Sequence, residues 1–487
     1  MGKYVFLVLF VAVMIGVGIY SRKRVNDVGG FLLGNRKMGG WITAFAYGTS
    51  YFSAVVFIGY AGSMGWSFGA AAVWIGVANA VIGSLLAWIF LAKRTRKLTH
   101  ELDAATMPDF FLKRYDSIVM KIVAAAIIFI FLIPYSASVY KGLGFVFSNT
   151  FGIPIEYLNL CLLFMAILTG IYLLLGGYLA TALNDFIQGI IMIAGVLLVV
   201  YFVVNNPIVG GVGEGLAKLN AIDPGLTSIF SGSPINLLSL VLLTSLGTWG
   251  LPQMVHKFYT IRDESAIKKG TIISTVFSLI IGFGAYFCGA FGRIYLNNQV
   301  PADMDMIMPV VFETALPDLL LGLLVVLMLS ASMSTLSSLV LVSSSSVVMD
   351  LLGDIMFPNM KKNTQMLLMR VMCAFFVALS YIVSTTPNAI VTLMSFSWGT
   401  IAGTFLGPFI YGLYWKSVTK VGAWGGFIAG FMTSIAGTLY YNLNAKMAPN
   451  IGVASMIVSL VAVPVVTLVE KAIAGRKLVE TTKAAEQ

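Results

Sequence analysis

Apolar runs of roughly 17 to 28 residues recur from one end of the chain to the other, each long enough to cross a bilayer as a helix. Backbone polar groups in hydrocarbon must be satisfied within the fold, which leaves such runs little choice but a helical bundle. The 487 residues are 59% hydrophobic and 10% charged, with a mean hydropathy of +0.92, unlike any soluble domain of this size. The sequence therefore predicts an all-α polytopic membrane protein. About thirteen helices are expected, over 4–20, 40–62, 68–92, 118–147, 154–175, 181–204, 234–257, 269–293, 314–348, 364–385, 387–415, 421–441 and 450–470. The first run lacks a basic n-region and ends in Ser-Arg-Lys-Arg, so it reads as a retained helix rather than a leader. Cys161, Cys288 and Cys373 sit singly in separate runs, a pattern of packing residues and not of disulfides or metal ligands.

The net charge of +10 is explained by where the cations fall, with no need for a nucleic-acid partner. Alternate loops collect Arg22, Lys23, Arg24, Arg36, Lys37, Lys93, Arg94, Arg96, Lys97, Lys113 and Arg114 on one side, with later basic loops and the tail. The opposite loops carry Glu156, Glu214, Asp223, Asp303 and Asp305. The positive-inside rule then puts the N-terminus outside and the C-terminus in the cytoplasm of an inner or plasma membrane protein. The longest polar stretches, 93–117, 205–233 and 294–313, leave no room for a catalytic or sensor domain, and the tail beyond Glu470 reads as disordered. No metal-ligand cluster, nucleophile motif or paired catalytic carboxylate is visible, so the chain is not read as an enzyme. No obligate protein partner is evident either.

Two helices look broken. Gly48-Thr49-Ser50-Tyr51-Phe52-Ser53-Ala54 places a glycine and polar residues at mid-membrane depth, and Gly247-Thr248-Trp249-Gly250-Leu251-Pro252-Gln253 adds a helix-breaking proline. They lie five helices apart, and five is odd. The chain thus divides into an extra helix and loop (1–39), a first five-helix unit (40–204), an extracellular loop (205–233), a second five-helix unit (234–416), two more helices (417–470) and a cytoplasmic tail (471–487). The second unit must be inserted upside down relative to the first. Inverted repeats that each open on a discontinuous helix mark secondary transporters with a midplane site. A third feature points the same way: Ala331, Ser334, Thr335 and Ser338 fall on one helical face inside an apolar run. Such hydroxyls bond their own helix, let neighbours pack closely, or hold a small hard cation.

Phe31-Leu32-Leu33-Gly34-Asn35-Arg36 with Met38-Gly39-Gly40, Thr106-Met107-Pro108-Asp109-Phe110-Phe111, Gly176-Gly177-Tyr178-Leu179-Ala180-Thr181, Leu183-Asn184-Asp185-Phe186-Ile187-Gln188-Gly189, Gly250-Leu251-Pro252-Gln253 and Met333-Ser334-Thr335-Leu336-Ser337 occur in order. With these motifs the chain resembles the sodium/solute symporter family, whose members carry proline, pantothenate, sialic acid, sugars or short-chain carboxylates. The resemblance implies a five-plus-five inverted-repeat, LeuT-like core. It also implies a sodium site made by the carbonyls of Thr49, Phe52 and Ala331 and the hydroxyls of Ser334 and Thr335. A second sodium site, as in the sialic-acid branch, would use Asp185, Ser334, Ser337 and Ser338. One departure matters: Tyr51 stands where the proline-carrying branch has an aspartate, which turns the resemblance toward the pantothenate and carboxylate branch.

The expected activity is sodium-coupled import of a small organic solute, a carboxylate such as pantothenate or a monocarboxylate, or an amino acid such as proline. A proton-coupled or uncoupled carrier of the same fold, and a membrane receptor that binds solute without moving it, are the rival readings. Candidate solute contacts are Tyr51, Ser53, Tyr135, Lys141, Thr248, Trp249 and Gln253, grouped at the breaks or along the fourth helix. Lys141 either snorkels to an interface opposite Lys121 or attracts a carboxylate in the cavity. His256, followed by Lys257, reads as an interfacial residue.

Overall fold

The computed structural model describes residues 2–22, 32–230 and 232–485, with side chains for all of these except 2–3, 15, 18–22, 155, 168–169, 172–180 and 475–485. Phe31 and the Lys23-Arg24 pair lie outside the described residues, as do the side chains of Gly176–Ala180. Nine described helices are long and apolar enough to cross a membrane, with shorter apolar helices at Tyr4–Met14 and Leu158–Ile167.

In chain order, α1 (Gly2–Arg22) is followed by α2 (Gly40–Tyr51), which breaks at Phe52 and Ser53. Wide π-type turns over Val55–Tyr60 lead into α3 (Ala61–Phe68). Gly69, at φ +56°, then reverses the chain, and a Cβ there would sit 2.2 Å from the Leu226 carbonyl oxygen, so only glycine fits. The return helix includes α4 (Val73–Ala78) and α5 (Lys93–Glu101). Next come α6 (Met107–Tyr115), α7 (Ile118–Phe151), α8 (Leu158–Asn205) and α9 (Val212–Ile222). The second broken helix is α10 (Pro234–Leu246) and α11 (Pro252–Tyr259), with a tight turn at Gly247–Trp249 between them. It is followed by α12 (Glu264–Ala290), α13 (Ile307–Ala315) and α14 (Asp318–Ser345), the last continuing in wide turns to Met356. The chain closes with α15 (Lys362–Ser384), α16 (Ile390–Tyr414), α17 (Lys420–Tyr440) and α18 (Ala448–Ala485).

Capping explains where several helices begin. Thr106, Ser117, Asp263 and Thr419 each accept the backbone N–H three residues on, which satisfies a donor the first helical turn cannot. The two edges of the bundle can be traced through contacts between loops. On the basic edge Met38 donates to the Thr260 carbonyl at 3.1 Å and accepts from the Arg262 N–H at 3.0 Å. On the opposite edge Asn149 reaches the Pro309 carbonyl and Asn206 the Thr314 carbonyl.

The last two contacts resolve α8. Its 48 helical residues would make a straight rod of about 72 Å, over twice the hydrocarbon thickness. Yet Asn149, just before it, and Asn206, just after it, both meet the 307–315 segment, so the path from one to the other is not a straight rod. Other boundaries moved further. The helix expected over 314–348 is divided at Leu316 and Pro317, and the stretches at 93–117 and 205–233 contain α5, α6 and α9. The tail is helical to Ala485, because Glu, Lys and Ala between 470 and 485 propagate the helix that precedes them.

Small residues bring helices together. A Cβ on Gly289 of α12 would lie 2.0 Å from the Ala61 carbonyl oxygen, and one on Gly65 of α3 would lie 2.0 Å from the Gly289 carbonyl oxygen. Between membrane helices, where lipid is as apolar as leucine, such close approach supplies the attraction. Gly289→Ala should therefore cost about 1–3 kcal/mol, read as earlier thermal unfolding, because backbone on both sides must shift. Gly213→Ala on α9, with nothing near its Cβ, should unfold no earlier than the parent.

Lys121 does not snorkel. Its side chain is 1% exposed and lies 3.3 Å from both Asp109 and Asp350, with Asp354 as its closest partner. Nothing local to Lys121 announces this, since two of the three carboxylates come from beyond residue 345. Cys161, Cys288 and Cys373 are buried and free.

Candidate ion and solute site

The break in α2 releases backbone carbonyls. The Phe52 N–H still bonds to Gly48, but Phe52 itself turns to φ −108°, ψ 108°, and the Ala54 N–H goes to the Ser332 hydroxyl at 3.2 Å. Ser53 caps the resumed helix: its hydroxyl accepts from Val55 and its carbonyl from Val56. The carbonyls of Thr49 and Ser50 are thereby left to α14. The Thr335 hydroxyl lies 3.2 Å from the Thr49 oxygen, 3.4 Å from the Ser50 oxygen and 3.1 Å from the Ala331 oxygen. The Ser334 hydroxyl donates to the Thr49 hydroxyl at 2.7 Å. Thr49, Ala331, Ser334 and Thr335 are thus brought together, fully buried, with Phe52 at the turn beside them.

This donor set suits a sodium ion as transported cosubstrate. Every oxygen in it is neutral and hard, which favours a cation that must also leave. Sodium is close to calcium in radius, so ligands about 2.3–2.6 Å from it and at right angles would stand about 3.3–3.7 Å apart. The observed separations of 3.2 and 3.4 Å between the Thr335 hydroxyl and the two α2 carbonyls nearly meet that spacing.

A second cluster lies one turn toward the basic edge. Asp185 of α8 is fully buried, with the Ser334 hydroxyl and the Lys257 ammonium as polar neighbours. Facing it is the Lys257 ammonium of α11, 3.7 Å from one carboxylate oxygen and 2.9 Å from the Ser338 hydroxyl. Ser338 also bonds the Ser50 hydroxyl at 2.9 Å, while the Ser337 hydroxyl turns back to the Ser334 carbonyl. Asp185, Ser334 and Ser338 therefore converge with a lysine to which the sequence reading gave no role. His256 beside it is buried too.

Around the first break, Tyr51 stacks on Trp398 with centroids 6.3 Å apart, and Trp398 packs edge-on to Tyr135 at 5.6 Å. The Tyr51 hydroxyl donates to the Thr244 carbonyl at 2.7 Å, joining the two broken helices. The Tyr135 hydroxyl lies beside Ser53 and Trp398. The Ser136 hydroxyl and both polar atoms of the Gln253 amide are buried with no hydrogen-bond partner within range among the described residues. Trp398 went unnoticed in the sequence because it falls mid-run in α16 with no break to mark it.

Three further candidate contacts have partners within the protein. Trp249 donates to the Ile82 carbonyl at 3.0 Å beside Phe90. Thr248 bonds the Ser245 carbonyl at 2.8 Å. Lys141 lies on the edge opposite the basic one, bonded to the carbonyls of Thr386 and Asn388, which cap the turn into α16. Asp305 also supports that turn by accepting the Ile390 N–H at 3.0 Å, and burial pushes its carboxyl up to about 7.

Comparison with known proteins fits this geometry. The model of the Sodium:solute symporter family matches residues 31–430. The chain is 29% identical to the osmoregulated proline transporter OpuE of Bacillus subtilis, over 95% of this chain and 94% of the relative. It is 27% identical to the sodium/proline symporter of Staphylococcus aureus, over 96% and 91%. Among solved structures, a substrate-bound, outward-open Na+-coupled sialic acid symporter aligns with a TM-score of 0.79 at 19% identity, covering 96% of this chain and 98% of its own. A nucleobase-cation-symport family transporter in a closed conformation aligns with a TM-score of 0.55 at 13% identity, covering 90% and 95%.

Proposed function

Because the chain belongs to the sodium:solute symporter family, we propose that it couples sodium entry to import of a small carboxylate-bearing solute, proline first in line. The observation that carries this reading is the Thr335 hydroxyl set between its own helix and the two freed carbonyls of α2. A sodium ion there ties the broken helix to α14, which shapes the solute pocket at the same break. When it leaves toward the cytoplasm both loosen, so solute and sodium each raise the other's affinity by one common factor. Tyr51, Ser53, Tyr135, Trp398 and Gln253 line the solute position, and the N-terminus of α11, where Leu251 is extended, offers a half-helix dipole to the carboxylate. The relatives favour proline; Tyr51 in place of an aspartate puts pantothenate and monocarboxylates next. The basic edge faces the cytoplasm of the plasma membrane, with the N-terminus outside.

The test is uptake into proteoliposomes of labelled proline, pantothenate and lactate, each with an inward sodium or an inward potassium gradient. One solute should accumulate with sodium alone. Equal uptake in potassium would remove the coupling and leave an uncoupled or proton-driven carrier, and stabilisation by a solute that never crosses would leave a receptor.

A further inference from the structure

The second cluster already contains a positive charge. Lys257 reaches from the inner half of the second broken helix into a place bounded by Asp185 of α8 and Ser338 of α14, and Ser338 passes the contact to Ser50 of α2. Lys257 is 2% exposed and Asp185 not at all, so water supplies little of the ammonium's solvation. A fully buried carboxylate needs a cation near it. A dissociable ion could fill that need, but the ammonium stands 3.7 Å from the carboxylate and would repel one.

We propose that Lys257 is a tethered substitute for a second sodium ion: it holds α11 to α8 and α14 as the mobile sodium holds α2 to α14, and one sodium moves per cycle. This rests on the reading of the chain as a sodium symporter. Two of the four oxygen donors expected of a second sodium site, Asp185 and Ser338, are engaged by the ammonium, and a third, Ser337, is turned onto its own helix. Lys257 is therefore a positioning residue that fixes stoichiometry without touching solute.

The experiment is equilibrium binding of radioactive sodium to the purified full chain in nanodiscs, paired with the sodium dependence of uptake. The parent should bind one sodium with a Hill coefficient near one. Lys257→Gln should bind two, with the Hill coefficient rising toward two, because Asp185 is left to recruit an ion. Adding Asp185→Asn to it should return the count to one, and this charge-free pair remains informative if the single variant fails to fold. Lys257→Arg, which keeps a tethered cation, should stay at one. Two sodium ions on the parent, or a count still at one in folded Lys257→Gln, would overturn the proposal and leave the symporter reading intact. No sodium on the parent would defeat that reading itself, and this inference with it.

Discussion

Ser334→Ala combined with Thr335→Val should raise the sodium concentration for half-maximal uptake roughly 100-fold, while solute KM at saturating sodium changes less than about threefold. The substitutions keep the shape of the α14 face and remove only its hydroxyl oxygens. A favourable contact with a charged group contributes about 1.5–3 kcal/mol, and each 1.4 kcal/mol is a factor of ten. The full sum is not expected, because the carbonyls of Thr49, Phe52 and Ala331 remain and water can enter the vacated space. Each single variant should shift the requirement roughly tenfold. Sodium-dependent uptake assayed from low to saturating sodium checks this. A shift in solute preference with an unchanged sodium requirement would remove the ion from this position.

Lys121→Met should cost about 3–5 kcal/mol of stability, enough to reduce the folded protein recovered from membranes severalfold. Three carboxylates and the Thr106 hydroxyl meet around this ammonium: Asp350 accepts from Thr106 at 2.8 Å and Asp109 accepts from the Ala105 N–H at 3.1 Å. Lys113, 3.0 Å from Asp109, is the only other cation within 4 Å of these carboxylates among the described residues. Without Lys121, Asp350 is left buried beside another anion, and Coulomb repulsion adds to its lost solvation. Asp354 is about half exposed, so Asp354→Asn should cost less than about 1 kcal/mol. Asp350→Asn placed on Lys121→Met should restore part of the loss. Thermal unfolding of the four proteins decides the matter, and equal melting of Lys121→Met and Asp354→Asn would contradict this account of the cluster.

The helical bundle and both breaks were legible because they depend on local chemistry. Apolar length sets the spans, and Gly48, Gly250 and Pro252 weaken the helix wherever they fall. The α14 hydroxyl face was legible for the same reason. Lys121 and Lys257 were not. Each looks like a basic residue near a helix end, and its partners lie on other helices: Asp350 and Asp354 on the extension of α14, Asp185 on α8 and Ser338 on α14. Burial of a charge is a property of the assembled helices, and no periodicity within one of them encodes it. The partner of Trp249 was not legible for a related reason: the tight turn at Gly247–Trp249 rotates successive side chains differently from an α-helix, and the indole donates to the Ile82 carbonyl.

The opened stretch of α2 also has a consequence for how the protein is made. Thr49 and Ser334 are 285 residues apart, and ribosomes add about 5–20 residues per second, so α2 enters the membrane roughly 14–57 s before α14 exists. During that interval no hydroxyl from α14 can serve the carbonyls of Thr49 and Ser50, and lipid offers none. The nascent segment is therefore expected to insert as an unbroken helix and to be pried apart late in biosynthesis, when the ninth hydrophobic run arrives beside it.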